Sequence, residues 1–128
     1  MRDIETKEDI DELVKLFYDK LFEDDLLKEI FENTVRDHLD KHIDLVSQFW
    51  DSILLDIFEY KNNVIEKHIS ADRLFTLKKR EFDRWLLLWK ASVDELFKGE
   101  KAELAKSRAA SIADLMLYKL EFIRKTVQ

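Results

Sequence analysis

The chain has 128 residues, no cysteine, no proline, one glycine and a net charge of −6. That length fits one domain able to bury roughly two-thirds of its unfolded surface without a disulfide or structural metal. The missing cysteines exclude thiolate catalysis and zinc ribbons, and the acidic balance, with basic residues interleaved among acidic ones, argues against nucleic acid as a partner. The N-terminal stretch Met1–Ile10 is mostly charged and lacks the apolar core of a secretory signal. No apolar run approaches the ~18–20 residues of a membrane span, so we expect no membrane partner and a cytoplasmic location.

Helical periodicity runs through almost every window, and Gly-Pro punctuation is nearly missing, which predicts an all-α fold. A first helix is expected over Lys7–Phe22, with Thr6 as N-cap, Glu8 and Asp9 in the first turn, and Ile10, Leu13, Val14, Phe17, Leu21 and Phe22 buried. A short helix follows at about Asp25–Glu32. A long one covers about Arg36–Phe58, its apolar stripe formed by Leu39, Ile43, Val46, Phe49, Trp50, Ile53 and Ile57, with His42 set among them. Asn62-Asn63 marks a turn, a brief helix ends near Ile69, and Ser70–Leu77 reads as a loop. The next helix spans about Lys78–Lys98, with Phe82, Trp85, Leu86, Trp89, Val93, Leu96 and Phe97 on its stripe and Gly99 as its stop. The last covers about Lys101–Lys125 and buries Ala105, Ala109, Ile112, Met116, Leu120 and Ile123. Such unequal lengths suit crossed helices better than a symmetric bundle.

Chemistry-bearing residues are few. The three histidines, His38, His42 and His68, all lie on or beside apolar faces. A single such histidine is most often a hydrogen-bonded core or boundary residue; three in one small domain favour a ligand role. Tyr18 and Trp85 are polar-headed aromatics on apolar faces, whose donors need partners when buried. Gly-rich phosphate loops and nucleophile elbows are missing. His38 and His42 could form a two-histidine metal edge, but Leu39 stands where a zincin has glutamate, and no Glu-x-x-His pair has the register of a di-iron bundle.

The blocks "LFYDKL" around Phe17-Tyr18, "HIDLVSQFW" from His42 to Trp50, "YKNNVIEKH" from Tyr60 to His68 and "FDRWLLLW" from Phe82 to Trp89 together acquire a meaning that none has singly. In residues and in spacing, from about Phe17 to Phe97, the chain resembles the group III truncated haemoglobins. The resemblance implies a globin-like two-over-two helical sandwich around haem b. It implies His68 as the proximal iron ligand, and His42, Tyr18 and Trp85 as distal residues, with His42 also a candidate sixth ligand. Phe31 in "EIFEN" matches a phenylalanine that packs on the porphyrin edge, and Phe17, Val46, Phe49 and Trp89 are expected to line the cofactor. One axial histidine leaves the opposite site open to a diatomic ligand, O2, NO or CO, and phenol and indole donors there would stabilise a polarised ligand.

The chain also departs from the pattern. Asn62 replaces the family's glycine and Val64 its following proline, Trp89 is bulkier than the family residue, and the Ser70–Leu77 loop is slightly long. His38 is additional and is expected to face water. A polar distal pocket suits nitric oxide or peroxide redox chemistry, or ligand sensing, better than bulk oxygen storage, and sustained turnover would need an external electron donor. The rival readings are a cofactor-free helical interaction module on the same frame and a non-haem metal bundle using His38 and His42.

Overall fold

The computed structural model describes residues 1–57 and 77–126, and among them every regular element is helical. These are α1 (Lys7–Glu23), α2 (Lys28–Thr34), a 3-10 turn (Arg36–His38), α3 (Leu39–Leu54), α4 (Lys79–Leu96) and α5 (Glu100–Thr126). The turn, brief helix and most of the loop expected around Tyr60–His68 and Ser70–Leu77 fall on residues 58–76, outside the described residues. The α1 and α3 helices pack together, α4 packs on both α1 and α5, and α3 also touches α5, which gives a pair of helices over a pair.

Local chemistry explains most of the boundaries. Thr6 caps α1: its hydroxyl accepts from Asp9 N at 3.1 Å, and the Asp9 carboxylate accepts from Thr6 N at 3.1 Å. The long third helix ends earlier than periodicity predicts. It stops at Leu54 because Leu55 leaves helical geometry and Asp56 turns left-handed at φ 57°, and its start is tightened into the 3-10 turn. The second helix starts later than expected, after a turn held by Asp24, whose carboxylate accepts from Leu26 N and Leu27 N.

Gly99 has a different role from the stop expected of it. The α4 helix ends in extended geometry at Phe97, while Gly99 at φ 147° precedes α5 and lies against the Asp3 side chain. That carboxylate caps α5, accepting from Lys101 N and Ala102 N at 2.9 Å each. Burial disfavours its charge, but these bonds and one from Ile4 N outweigh the cost and hold the carboxyl below its ordinary range. On α5, Ala102, Ala105, Ala109, Ala113, Met116 and Leu120 are buried, whereas Ile112 and Ile123, expected inside, are only half-buried. Small residues dominate because α4 lies close to this face.

Candidate functional site

The residues singled out on α1 and α3 meet. Tyr18 is buried and sits 24 positions from His42 in the chain, yet its hydroxyl lies 2.6 Å from His42 Nε2. The two rings stand edge to face, 5.3 Å apart. Burial pushes the phenol far above its ordinary range, so the hydroxyl keeps its proton. Two arrangements satisfy the pair. Either the hydroxyl donates to an unprotonated Nε2, or Nε2–H donates to the phenol oxygen and leaves the phenol hydrogen for another acceptor. In both, His42 Nε2 is engaged by Tyr18.

Aromatic side chains surround this bond. Phe31 on α2 meets Tyr18 edge-on at 5.9 Å, and Phe17 meets Tyr18 at 5.5 Å and Trp85 at 5.7 Å. Trp85 is half-buried, and its indole N–H has no hydrogen-bond partner among the described residues. Trp89 lies deeper. It is fully enclosed, stacks on Trp50 at 4.7 Å, meets Phe17 at 5.1 Å and donates Nε1–H to Ala105 O at 3.1 Å. Trp89, expected to line the cofactor, is here enclosed by protein, with Phe17 on one side and Trp50 on the other. His38 is exposed, as expected, with its ring 6.3 Å from that of His42.

One asymmetry on α3 bears on what this site holds. The helix buries Ser47, Trp50, Asp51 and Leu54 against its neighbours, while Ile43, Val46, Phe49 and Ile53 are only half-buried. Those four follow helical spacing along one face beside His42. A soluble helix normally buries its apolar stripe and exposes its polar face, whereas this stripe packs against the core and still keeps part of its surface open. An apolar stripe beside a tyrosine–imidazole pair fits a flat, largely apolar cofactor with a polar reactive centre.

His68 falls outside the described residues, so its side chain is not placed. Among the described residues no group of three or more His, Cys, Asp or Glu side chains is arranged to hold a metal ion. Sequence reading missed a positioning contact: Arg84 Nε donates to the buried Asp24 carboxylate at 2.7 Å across 60 positions, tying the end of α1 to the turn of α4 that carries Trp85. Nothing in the local sequence of either residue signals the other.

This geometry defines a class before any relative is considered: an all-helical, globin-like sandwich with polar aromatics gathered between α1, α3 and α4. No family model matches the chain. A group 3 truncated haemoglobin of Campylobacter jejuni is 29% identical over 119 residues, covering 88% of this chain and 91% of that protein. The crystal structure of a group III truncated haemoglobin from Campylobacter jejuni superposes with a TM-score of 0.81 at 27% identity, covering 94% of this chain and 95% of the other. The resemblance read from the sequence to the group III truncated haemoglobins, and the fold it implied, are thus found again in both comparisons.

Proposed function

We propose that this protein is a haem globin, a single truncated-globin domain of the cytoplasm, that binds a diatomic gas ligand in a polar distal pocket. The observation that carries the reading is the Tyr18–His42 hydrogen bond set at the edge of the half-buried apolar stripe of α3. Haem b would supply an iron centre open to O2, NO or CO, with His68 as its proximal ligand. Ile43, Val46, Phe49 and Phe31 would cover the porphyrin with apolar surface, and Phe17 and Trp89 would back them.

The residues of the chain then divide the work. Tyr18 keeps its proton and offers it either to His42 or to a ligand. Trp85, whose N–H is uncommitted among the described residues, offers a second donor from α4. His42 sets the direction of the phenol hydrogen through its tautomer. Coordination of an iron by His42 Nε2 would require that the bond to Tyr18 be given up, so His42 would serve the site first as the partner of Tyr18. A pocket with two neutral donors slows the release of a polarised ligand, which suits nitric oxide or peroxide redox chemistry with an external electron donor, or ligand sensing, over bulk transport.

Titration of the purified chain with haemin, followed by visible absorption, tests the reading. One equivalent should give an intense Soret band, and His68→Ala should weaken retention and change the ferrous spectrum. A chain that binds no haemin would instead be the cofactor-free helical module.

A further inference from the structure

The C-terminal half of α5 carries a second apolar feature, remote in character from the aromatic cluster. Among the described residues the large side chains most open to solvent, apart from Met1 and Leu87, are Leu115 at 45%, Tyr118 at 67% and Phe122 at 58%. They lie three and four positions apart and so form one stripe, continued by Ser111 before and Lys125 after in a 4-3-4-3 rhythm. The opposite face of the same helix, with Ala109, Ala113, Met116 and Leu120, is buried in the core. The stripe is therefore outside by construction: α5 is apolar on two faces, and the fold uses one.

The charges beside the stripe are sorted. On a helix of 100° per residue, Asp114 and Glu121 fall on one flank and Lys119 on the other, while Arg108 and Lys125 stand at the two ends of the stripe itself. The three flanking charges are exposed, and none makes an ion pair within 4 Å among the described residues. Two copies of this helix can meet stripe to stripe about a two-fold axis in two ways. With the axis perpendicular to the helices, the copies run antiparallel and like flanks face each other, acid on acid and base on base. With the axis along the helices, the copies run parallel, and the acidic flank of each faces the basic flank of the other on both sides. Like charges held opposite one another are unfavourable, so the sorting selects the parallel pair.

We infer that α5 is a self-association surface, on which a second copy of this chain docks in parallel, with Leu115, Tyr118 and Phe122 meeting their equivalents and Lys119 facing the partner's Asp114. This spacing, five residues between the charged positions of the two helices, is that of the flanking ion pairs of parallel coiled coils. The stripe offers about 300–400 Å² per protomer, given ~150–250 Å² for a fully buried aromatic. The two protomers together bury about 600–800 Å², below the total of about 1,200 Å² typical of stable interfaces, so the dimer is weak.

Sedimentation velocity of the full-length protein, as purified with whatever haem it carries, tests this from about 10 µM to about 1 mM. The weight-average mass should rise toward twice the monomer mass. Tyr118→Glu places a charge in the seam and should raise the dissociation constant at least about tenfold. Lys119→Asp should weaken association by about fivefold, and the exchange D114K/K119D should restore it, because the parallel pairing is preserved with signs reversed. Far-UV circular dichroism confirms that each variant keeps its helices. A wild-type mass that stays monomeric up to about 1 mM overturns the inference, also where vesicles of anionic phospholipid bind the stripe instead. A dimer indifferent to Tyr118→Glu places the contact elsewhere, and association strengthened by Lys119→Asp rules out the parallel arrangement.

Discussion

Two ends of this molecule are built on opposite plans. At the corner where the N-terminus meets the start of α5, polar groups are tied to one another within the chain. Asp3 caps α5, Lys98 N donates to Arg2 O at 3.0 Å, the Arg2 guanidinium engages Asp9 and lies 5.8 Å from the Phe97 ring centre, and Ile4 is sealed at 1% exposure. At the α1–α3 face the polar pair Tyr18–His42 is equally well made, yet the apolar side chains next to it are only half-buried. The first region is complete as protein. In the second, Ile43, Val46 and Phe49 pack against the core but stay half-buried. On the proposed reading, stability and function are separated in space: the corner holds the helices in register, and the α1–α3 face takes the ligand.

Removing the proposed cofactor would break this contrast most visibly. Binding to the folded state alone stabilises by mass action, about 4 kcal/mol when free ligand is about a thousand times Kd. Haem-free protein should therefore melt well below the haem-loaded form, with a weaker helical signal, in paired circular dichroism melts. Equal melting temperatures would mean that the face needs no cover. Next in size is Trp89→Ala, which removes the stack on Trp50, the contact with Phe17 and the bond to Ala105 O. A loss of about 3–4 kcal/mol is expected in urea unfolding, since this is a large aromatic in a closed core.

Tyr18→Phe sharpens the comparison from the other side. It leaves the core volume nearly unchanged but deprives His42 Nε2 of its partner. A hydrogen bond to a charged or polarised acceptor contributes about 1.5–3 kcal/mol, so ligand dissociation should quicken by about ten- to a hundredfold in stopped-flow traces. Trp85→Phe should act in the same direction, and the double variant should be non-additive because the two donors share one acceptor. His42→Leu should mainly change the association rate, since it alters access and the orientation of Tyr18. Off-rates unchanged in both single variants would remove the polar-pocket reading.

At the closed corner the effects are smaller. A Cβ on Gly99 would stand 2.5 Å from Asp3 Cγ, at a φ of 147° that side chains rarely adopt, and Asp3 is anchored by three backbone N–H groups. Gly99→Ala should cost about 1–3 kcal/mol without altering the haem spectrum. The same corner should be acid-sensitive. The bond from Arg2 holds Asp9 below its ordinary value of 3.8, burial opposing, and Asp3 is also held below 3.8. Below that value the unfolded chain takes up protons that the folded chain refuses, so the stabilisation is full above about pH 4 and is lost as pH falls through the lower folded values. Asp9→Asn should flatten that decline in pH-dependent unfolding.

Much of this architecture was legible in the residues. The capping of α1 by Thr6, the acidic first turn with Asp9, the apolar stripe of α4 and the helical class all follow from spacing and from the near absence of glycine and proline, because these are local properties of the chain. The four aromatic and histidine blocks pointed to the group III truncated haemoglobins, and Tyr18 and His42, marked out from different helices, do meet. Three things were decided only by the tertiary structure. The arrest of α3 at Leu54 depends on the left-handed Asp56, which no periodicity announces. The role of Gly99 depends on Asp3, 96 positions away, arriving to cap α5 and occupying the place of a side chain. The difference between Trp89, sealed in the core, and Phe49, half-covered on α3, depends on which helix lies opposite each. Periodicity finds the apolar face of a helix, but what covers that face is set by contacts between distant parts of the chain.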